Sequence, residues 1–303
     1  MDLKNTLEEE IVKAILPEIK TNILEEVDKI TGQFTKRIKT VVVKKGDIKT
    51  EKTELVHEKF EDILTLVSNK IPVMLTGGAG SGKSSTCEKI AEVLGLDFYF
   101  SNAITQEYKL TGFIDANGVY QKTQFYKAFK EGGLFLLDEI DASVPEALII
   151  INTAIANGYF DFPIGKVQAH KDFRIVACAN TYGLGGNDVY VGRNQLDGAS
   201  LDRFAMVHFD YDEVLERNLV TNSEWVEFIQ ALRHKIKERQ IRHVISMRAT
   251  IYGDILLKAG TEIDKVFSQV VLKNLQKDDI KSIGTLSGNK NQYIQAFNSI
   301  VKG

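Results

Sequence analysis

The chain has 303 residues, of which 44% are hydrophobic and 26% are charged, which is ordinary for a globular protein with a sizeable core. Its formal net charge of −3 provides no overall positive field of the kind that attracts nucleic acid. Two cysteines, Cys87 and Cys178, exclude a disulfide framework and favour a reducing compartment. The N-terminus lacks the apolar region of a signal peptide, and no apolar run is long enough to cross a membrane, so we expect a cytoplasmic protein without membrane contact.

The first part of the chain predicts an extension ahead of the main domain. Apolar residues recur at about every fourth position in residues 2–30, which predicts a helix that Pro17 interrupts. Two short stretches flank Lys45-Gly46-Asp47 in residues 37–56 and predict a pair of strands. We therefore expect residues 1–54 to form a helical extension with a hairpin. The sequence leaves open whether this helix packs on its own domain or docks on a partner.

Strands and helices alternate from residue 55 onward. A helix is predicted at His57–Asn69, and five strands follow it, at Pro72–Thr76, Asp97–Ser101, Leu134–Leu137, Phe173–Ala179 and Met206–Phe209. Helices predicted between the strands are Lys83–Leu94, Gln124–Glu131 and Pro145–Asn157. This alternation predicts an α/β domain over residues 55–210, with a parallel sheet covered by helices on both faces. Only helical patterns follow Tyr211, so residues 211–303 are expected to form a small helical lid domain.

A glycine-rich segment lies between the first of these strands and the next helix. Residues 72–85 read PVMLTGGAGSGKSS and contain the pattern G-x-x-x-x-G-K-S. Glycines let backbone N–H groups close around phosphate oxygens, and the helix N-terminus adds partial positive charge. Lys83 is expected to reach the β- and γ-phosphates, and Ser84 to bind Mg²⁺. The predicted phosphate-binding residues are Gly77, Gly78, Ala79, Gly80, Ser81, Gly82, Lys83, Ser84 and Ser85.

A buried strand that ends in carboxylates, LFLLDEID, follows at residues 134–141. Ligands of such sheets bind beyond the carboxyl ends of the strands, so these acids are expected beside Ser84. Asp138 is predicted to hold Mg²⁺ through water, and Glu139 to polarise the attacking water as general base. For Asp141 the sequence leaves two roles open, capping the next helix and serving the site, and capping is favoured.

Three motifs in this order, GGAGSGKS, LFLLDEID and IVACANT, resemble those of an AAA+ ATPase. Residues 189–204, VYVGRNQLDGASLDRF, resemble the MoxR-like and dynein-related branch, which includes CobS and CbbQ/NorQ types and proteins encoded by tailed phages. The resemblance covers roughly residues 55–255 and implies a P-loop NTPase fold that binds ATP and Mg²⁺. It also implies assembly into a ring of subunits, with six expected.

The resemblance also implies roles for four polar residues outside the phosphate loop. Asn180 corresponds to sensor 1, which orients water against the γ-phosphate. Arg248 corresponds to sensor 2, which reaches the phosphates from the helical lid. Arg203 corresponds to the arginine finger of the neighbouring subunit, and Arg193 is a second candidate for that interface. A local ion pair of Arg203 with a nearby aspartate is the alternative.

Two further hairpins are predicted inside the α/β domain. Residues 109–125 carry the turn signal Asn117-Gly118, and residues 158–173 suggest a second hairpin. The resemblance implies that the first hairpin faces the central channel of the ring. Hairpins in that position suit a machine that pulls or remodels a polymer, and surface hairpins without a substrate role are the alternative.

The leading expectation is a ring-forming ATPase that couples Mg²⁺-dependent ATP hydrolysis to remodelling of a protein partner. In this branch the partner frequently carries a von Willebrand factor A domain, and here it is expected to be a separate chain. The alternative is a nucleic-acid motor or helicase-loader-like ATPase, because residues 233–242 are rich in Lys and Arg. A small-molecule kinase is the third hypothesis, and the arginine-finger segment and late helical lid argue against it.

Overall fold

The computed structural model describes residues 37–45, 48–183, 185–186, 190–288 and 290–303. The predicted helix within residues 2–30 lies outside these ranges. In the part of the chain that is described, no helix is long and apolar enough to cross a membrane.

The secondary structure follows the alternation predicted from the sequence. The strands are β1 (Ile38–Lys45), β2 (Ile48–Leu55), β3 (Val73–Thr76), β4 (Phe98–Ser101), β5 (Phe113–Ile114), β6 (Tyr120–Gln121), β7 (Gly133–Leu137), β8 (Tyr159–Phe162), β9 (Gly165–Gln168), β10 (Phe173–Ala179) and β11 (Ala205–His208). The helices are α1 (Phe60–Ser68), α2 (Lys83–Leu94), α3 (Tyr108–Thr111), α4 (Gln124–Glu131), α5 (Pro145–Asn157), α6 (Gly198–Leu201), α7 (Glu213–Leu219), α8 (Ser223–Glu238), α9 (Met247–Lys258), α10 (Ile263–Val266), α11 (Lys277–Ile283) and α12 (Gln292–Lys302).

Five strands form a parallel sheet in the order β11-β3-β10-β7-β4. All five were predicted, and each begins and ends within one residue of the predicted bounds. In the register of the sheet, Thr76 at the end of β3 lies beside Ala179 of β10 and His208 of β11. The carboxyl ends of these neighbouring strands therefore meet at one edge, where a ligand of such a sheet binds.

Both faces of the sheet are covered, as the continuous apolar strand β7 requires. Leu134 and Leu136 pack in the cluster on one face, with α1 and α2, whereas Phe135 and Leu137 pack in the cluster on the other, with α4 and α5. A separate cluster around Trp225 holds the C-terminal helices together. The α/β architecture followed by helices is therefore confirmed, and the exact division into domains stays a prediction.

The predicted hairpins are confirmed. β1 pairs with β2, β5 with β6, and β8 with β9, each pair antiparallel. Because each pair forms a two-stranded sheet of its own, none of them extends the central sheet.

Asp212 fixes the start of the C-terminal helices against the α/β part. Its carboxylate accepts a hydrogen bond from the Leu215 N–H at 3.0 Å and so caps α7. It also accepts from the Glu58 N–H at 2.9 Å and pairs with Arg37. Asp212 is only 4% exposed, which strengthens these contacts because little water competes for them. Its position sets where the later helices lie relative to the edge of the sheet.

Candidate active site

A cleft of about 490 Å³ opens at the carboxyl ends of the strands. One end is lined by the phosphate loop together with the acids that follow β7, and the other by apolar side chains of the α/β part and of helices α7 and α9. Pockets of this size, apolar with a few convergent polar groups, are typical binding sites for small molecules. We describe the polar end first.

The phosphate loop runs from the end of β3 to the start of α2. Gly82 has φ of +98°, a left-handed conformation that residues with a Cβ rarely adopt. At Gly77 a Cβ would lie 2.0 Å from the carbonyl oxygen of Phe209, so this close approach to the backbone requires glycine. The loop can therefore fold tightly enough to present its N–H groups to an anion.

Lys83 is folded over the loop that it follows. Its Nζ donates to the carbonyl oxygens of Gly77 at 2.8 Å and Gly78 at 2.9 Å, and to Asn180 Oδ1 at 3.2 Å. Burial lowers the pKa of Lys83, while the nearby Asp138 and Asp141 oppose this shift. A buried ammonium group without a full ion-pair partner is well suited to receive the negative charge of a phosphate.

Ser84 and Asp138 meet at the mouth of the loop. The Ser84 hydroxyl donates to Asp138 Oδ2 at 2.7 Å, so two hard oxygen donors converge on one point. Mg²⁺ in nucleotide sites is held by one or two such oxygens, with phosphate oxygens and water completing the octahedron. These residues therefore fit the predicted metal, which Ser84 and Asp138 would hold.

Glu139 and Asp141 follow Asp138 and share a cation. Arg193 Nη2 lies 3.1 Å from Glu139 Oε1, and Arg193 Nη1 lies 3.2 Å from Asp141 Oδ1. The expectation that Asp141 caps the following helix is wrong, because α5 begins after Val144 without a side-chain cap. Its Oδ2 instead accepts hydrogen bonds from the backbone N–H and the hydroxyl of Thr181, at 3.0 and 2.8 Å. Asp141 thus holds the loop that follows β10 in place.

Asn180 and Arg248 both line the cleft, as predicted. Asn180 ends next to Lys83 because its backbone N–H donates to Asp141 Oδ2 at 3.2 Å. Arg248 lies in the first turn of α9, and its side chain passes close to Gly80 of the phosphate loop. The sequence therefore predicted that these two residues, which are distant along the chain, lie in the same cleft.

Arg203 and Arg193 lie in different surroundings. Arg203 follows α6, donates to the carbonyl oxygen of Ala199, and is not among the residues that line the cleft. Arg193, the second interface candidate, is instead engaged by the two carboxylates of its own chain, and its side chain is only 13% exposed. The two arginines that one sequence segment supplied are thus separated by the fold.

The apolar end of the cleft was not predicted. Its lining includes Val56, Leu215 and Ile251, which come from three distant segments. His57 completes it by stacking on Phe209, with ring centroids 3.7 Å apart. The His57 Nδ1 accepts from the Lys59 N–H, so Nε2 is the donor to the carbonyl of Asp210 at 2.9 Å, and burial lowers the pKa of this imidazole. A flat apolar slot beside a phosphate loop suits a nucleoside base.

Two tyrosines that sequence reasoning missed contact Ala79 of the phosphate loop. The Ala79 N–H donates to the Tyr190 hydroxyl at 2.9 Å, and the Tyr211 hydroxyl donates to the Ala79 carbonyl at 2.9 Å. The Tyr211 ring stacks on Arg233, whose guanidinium binds the fully buried Glu216. Only Tyr190, within the segment VYVGRNQ, carried any sequence signal, because that segment already resembled a functional one.

A parallel sheet of this order, with a phosphate loop after β3 and carboxylates after β7, defines a P-loop nucleoside triphosphatase. Residues 72–204 match the family model of the AAA domain of the dynein-related subfamily. The matched segment contains the phosphate loop, Asp138, Glu139, Asn180 and Arg203. Residues 72–204 are therefore similar to an AAA domain, and the site that they form supports ATPase activity.

Two bacterial proteins are among the relatives of this chain. Uncharacterized proteins of Staphylococcus aureus strains COL and MRSA252 are each 28% identical to the chain over 221 residues, which covers 63% of this chain and 80% of theirs.

Among solved structures, NtrX of Brucella abortus aligns with a TM-score of 0.44 and 16% identity, covering 96% of this chain and 56% of that one. A mutant RuvB of Thermotoga maritima aligns with a TM-score of 0.43 and 16% identity, covering 73% and 71%. Both scores are low, and the fold is defined by this chain's own sheet.

Proposed function

We propose that the protein is a ring-forming AAA+ ATPase of the MoxR-like, dynein-related type that couples Mg²⁺-dependent ATP hydrolysis to remodelling of a protein partner. The position of Arg203 carries this proposal. The cleft contains a phosphate loop, metal-binding oxygens and a carboxylate base, but the predicted arginine finger is outside it. A second subunit is the natural source of that cation.

The geometry of the sheet supports this view. The Ala205 N–H donates to the Pro72 carbonyl at 2.8 Å, so Arg203 precedes β11 at the amino end of the parallel strands. The phosphate loop lies at their carboxyl end, about 13 Å away for a strand of four residues. β11 is also one of the two edge strands of the sheet. Arg203 thus lies away from its own phosphate loop, which supports action on a neighbouring subunit, and a contact of this kind can repeat until a ring closes. Six subunits are expected from the resemblance.

In the proposed reaction each residue has one task. Lys83 and the loop N–H groups bind the phosphates, and Glu139 accepts a proton from the attacking water while Asn180 orients that water. Arg248 from the lid and Arg203 from the neighbouring subunit stabilise the charge that develops on the γ-phosphoryl group. Mg²⁺, held by Ser84 and Asp138, would neutralise phosphate charge when it is bound.

The hairpin β5–β6 supports a polymer substrate. Phe113, Ile114 and Val119 are 46%, 50% and 54% exposed, so this small hairpin presents apolar side chains to solvent. Exposed apolar patches commonly mark sites of protein contact. Together with the channel position that the resemblance implies, they favour a polypeptide. We propose that the partner is a separate cytoplasmic protein, and a von Willebrand factor A domain is the candidate that the resemblance supplies.

The nucleic-acid alternative is weaker, because part of the basic segment of residues 233–242 is already neutralised. Arg233 donates to both oxygens of Glu216 at 2.8 and 2.7 Å, and Lys235 pairs with Glu238 at 3.0 Å. Side chains that are paired in this way neutralise few phosphates, so they would displace few of the counterions that surround a nucleic acid. ATPase activity stimulated by nucleic acid, with a steep dependence on salt, would contradict the present proposal.

A mixing experiment tests the ring. Arg203→Ala should bind ATP normally and hydrolyse it about 10³-fold more slowly, as loss of an arginine finger does in related systems. Mixed with Lys83→Ala, it should regain part of its activity, since an intact finger then faces an intact loop. Arg174→Ala, which removes an arginine from the central strand β10, is the control and should hydrolyse ATP normally. Proven co-assembly without rescue, or full activity of a dilute monomer, would refute the proposal.

The partner is tested by a separate experiment. The variant Glu139→Gln, loaded with ATP, should retain a bound protein when it is used as bait in an extract of the native host. Lys83→Ala is the control bait, because it cannot enter the ATP state. The interaction is specific if the protein is retained by the first bait and not by the second. Retention of nucleic acid instead of protein would favour the alternative function.

A further inference from the structure

Arg193 contacts Glu139, the proposed catalytic base. The resemblance to known families does not imply this contact. Arg193 lies in the segment between β10 and α6 and bridges Glu139, at 3.1 Å, and Asp141, at 3.2 Å. We call these two ion pairs the Arg193 bridge. We propose that the bridge positions Glu139, holding its carboxylate on the Asp141 side of the cleft until nucleotide is bound.

The two carboxylates of the bridge differ in their freedom to move. The Asp141 side chain is fully buried and also accepts hydrogen bonds from Asn180 and Thr181. The Glu139 side chain is 44% exposed, and among the described residues its carboxylate contacts only Arg193. Asp141 is therefore the fixed end of the bridge, and Glu139 is the end that can leave.

The backbone of Glu139 supports a held position. Its φ and ψ are +53° and +43°, in the left-handed region that residues with a Cβ seldom occupy. The Glu139 N–H donates to Asp138 Oδ1 at 2.9 Å, which helps to maintain this conformation. Strained conformations of this kind persist at functional sites where the surroundings impose them. Because of this hydrogen bond, a movement of the Asp138 carboxylate when the metal binds would also shift the backbone of Glu139.

The segment that carries Arg193 is attached to both sides of the cleft. The Asn194 N–H donates to the Asp141 carbonyl at 2.6 Å, and the Asn194 side chain donates to the Ser143 carbonyl at 2.9 Å. At its other end the Tyr190 hydroxyl accepts the Ala79 N–H of the phosphate loop. A phosphate oxygen that takes this N–H releases Tyr190, which links occupancy of the loop to the position of Arg193.

The bridge restrains the hydrolytic step. In that step a bond forms between water oxygen and the γ-phosphorus as the bond to ADP breaks, and the water proton passes to Glu139. While Glu139 Oε1 accepts from Arg193, the carboxylate is held on the Asp141 side of the cleft and is not positioned to take this proton with either oxygen. Removing the bridge therefore frees the base, whereas removing a cation that acts on the phosphates would slow the reaction. A rise in kcat on loss of Arg193 therefore indicates that it restrains Glu139, and a fall in kcat indicates that it acts on the phosphates.

The first test is steady-state ATP hydrolysis by the full chain without any partner. Arg193→Met should raise kcat about fivefold, the population shift expected when an ion pair of ordinary strength is lost, and leave KM for ATP unchanged. Arg193→Lys, whose single ammonium cannot span both carboxylates, should give a smaller rise. Arg174→Met is the matched control, because Arg174 is partly buried, binds backbone carbonyls and lies at the opposite end of β10, and its kcat should not change. An unchanged or lower kcat in both Arg193 variants would overturn the proposal.

The second test is a double-mutant cycle of Arg193→Met and Glu139→Gln, measured as the free energy of unfolding. The two changes should be coupled without nucleotide and uncoupled when a non-hydrolysable ATP analogue saturates the site. A purely structural ion pair would remain coupled in both states, and that result would refute the proposal. If Arg193→Met does not fold, Arg193→Lys takes its place in the same cycle. The inference rests on the proposed role of Glu139 as the base and does not depend on the proposed partner. Full turnover by Glu139→Gln alone would contradict that role, whereas the Arg193 variants test the bridge.

Discussion

The two ends of the nucleotide cleft are built in different ways. At the phosphate end, most of the polar groups come from the phosphate loop and from the ends of β7 and β10, all of which lie in motifs visible in the sequence. Arg248 of α9 and the two tyrosines that contact Ala79 complete this end. At the base end, apolar side chains from α1, α7 and α9 meet only because Asp212 fixes the later helices beside the sheet. Directional contacts therefore come from local sequence, and shape comes from packing.

This difference predicts how each end responds to change. Charges and hydrogen bonds at the phosphate end act on groups whose charge changes during the reaction, so their loss affects binding and catalysis strongly. Apolar contacts at the base end act equally on substrate and transition state, so their loss affects affinity alone. Four experiments compare the two ends, in order of decreasing effect.

Lys83→Ala should abolish ATP binding. The substitution removes the buried ammonium that lies over the loop, whereas the other lysine that lines the cleft, Lys89, is already engaged by Glu54 and by the Leu55 carbonyl. Affinity is measured by titration with a fluorescent ATP analogue, and unfolding curves check that the variant is folded. Binding within tenfold of the wild type would show that the loop N–H groups suffice, and would weaken the phosphate-end half of the comparison.

Glu139→Gln should bind ATP with unchanged affinity and hydrolyse it about 10²–10⁴-fold more slowly, because the amide keeps the size of the side chain but cannot accept the proton. Single-turnover hydrolysis and nucleotide titration separate the two effects. The matched control is Glu146→Gln, an acid in the first turn of α5 that does not line the cleft. Near wild-type turnover by Glu139→Gln would show that another group is the base.

Ile251→Ala should weaken ATP binding about fivefold without changing kcat, because it removes part of the apolar wall of the base end. Ile255→Ala is a control on the same helix, since Ile255 is 57% exposed and is not among the residues that line the cleft. Equal affinities for both variants would show that the base does not lie against α9. A loss of kcat at unchanged affinity would contradict the division between the two ends.

His57→Gln should change the dependence of stability on pH. Burial lowers the pKa of His57 below its ordinary value of 6.5, so between these pKa values the unfolded chain binds more protons than the folded one. The stabilisation is thus complete above pH 6.5 and is lost as the pH falls through the folded pKa. The variant should lose less stability than the wild type between about pH 7.5 and about pH 5.5, by up to roughly 1 kcal/mol.

Chemical denaturation at several pH values measures this difference. Burial also lowers the pKa of His243, but that histidine is present in both proteins and cancels in the comparison. The control is His234→Gln, because the side chain of His234 is 66% exposed. Parallel curves for the wild type and His57→Gln would show that His57 is not held neutral at the base end.

Local sequence determined the framework of this protein. Strong alternation of apolar strands and helices predicted all five sheet strands along the chain, with bounds within one residue, and the glycine pattern at residues 77–84 predicted the phosphate loop. Both are readable because their physical causes act over a few residues: strand burial, turn conformation and the spacing of backbone N–H groups. The acids after β7 were placed correctly for the same reason, since a strand end fixes where its next residues lie.

Tertiary structure alone decided the partners of these groups. Asp141 was expected to cap α5, but folding brings Thr181 and Arg193 to it instead, and a buried carboxylate takes the donors that surround it. Arg193 and Arg203 belong to one short segment, yet the fold places the first against Glu139 and the second beyond the far end of the sheet. The apolar base end likewise joins residues from distant segments. Such choices depend on which surfaces meet in the folded chain, and non-local packing of this kind has no signature in any short stretch of sequence.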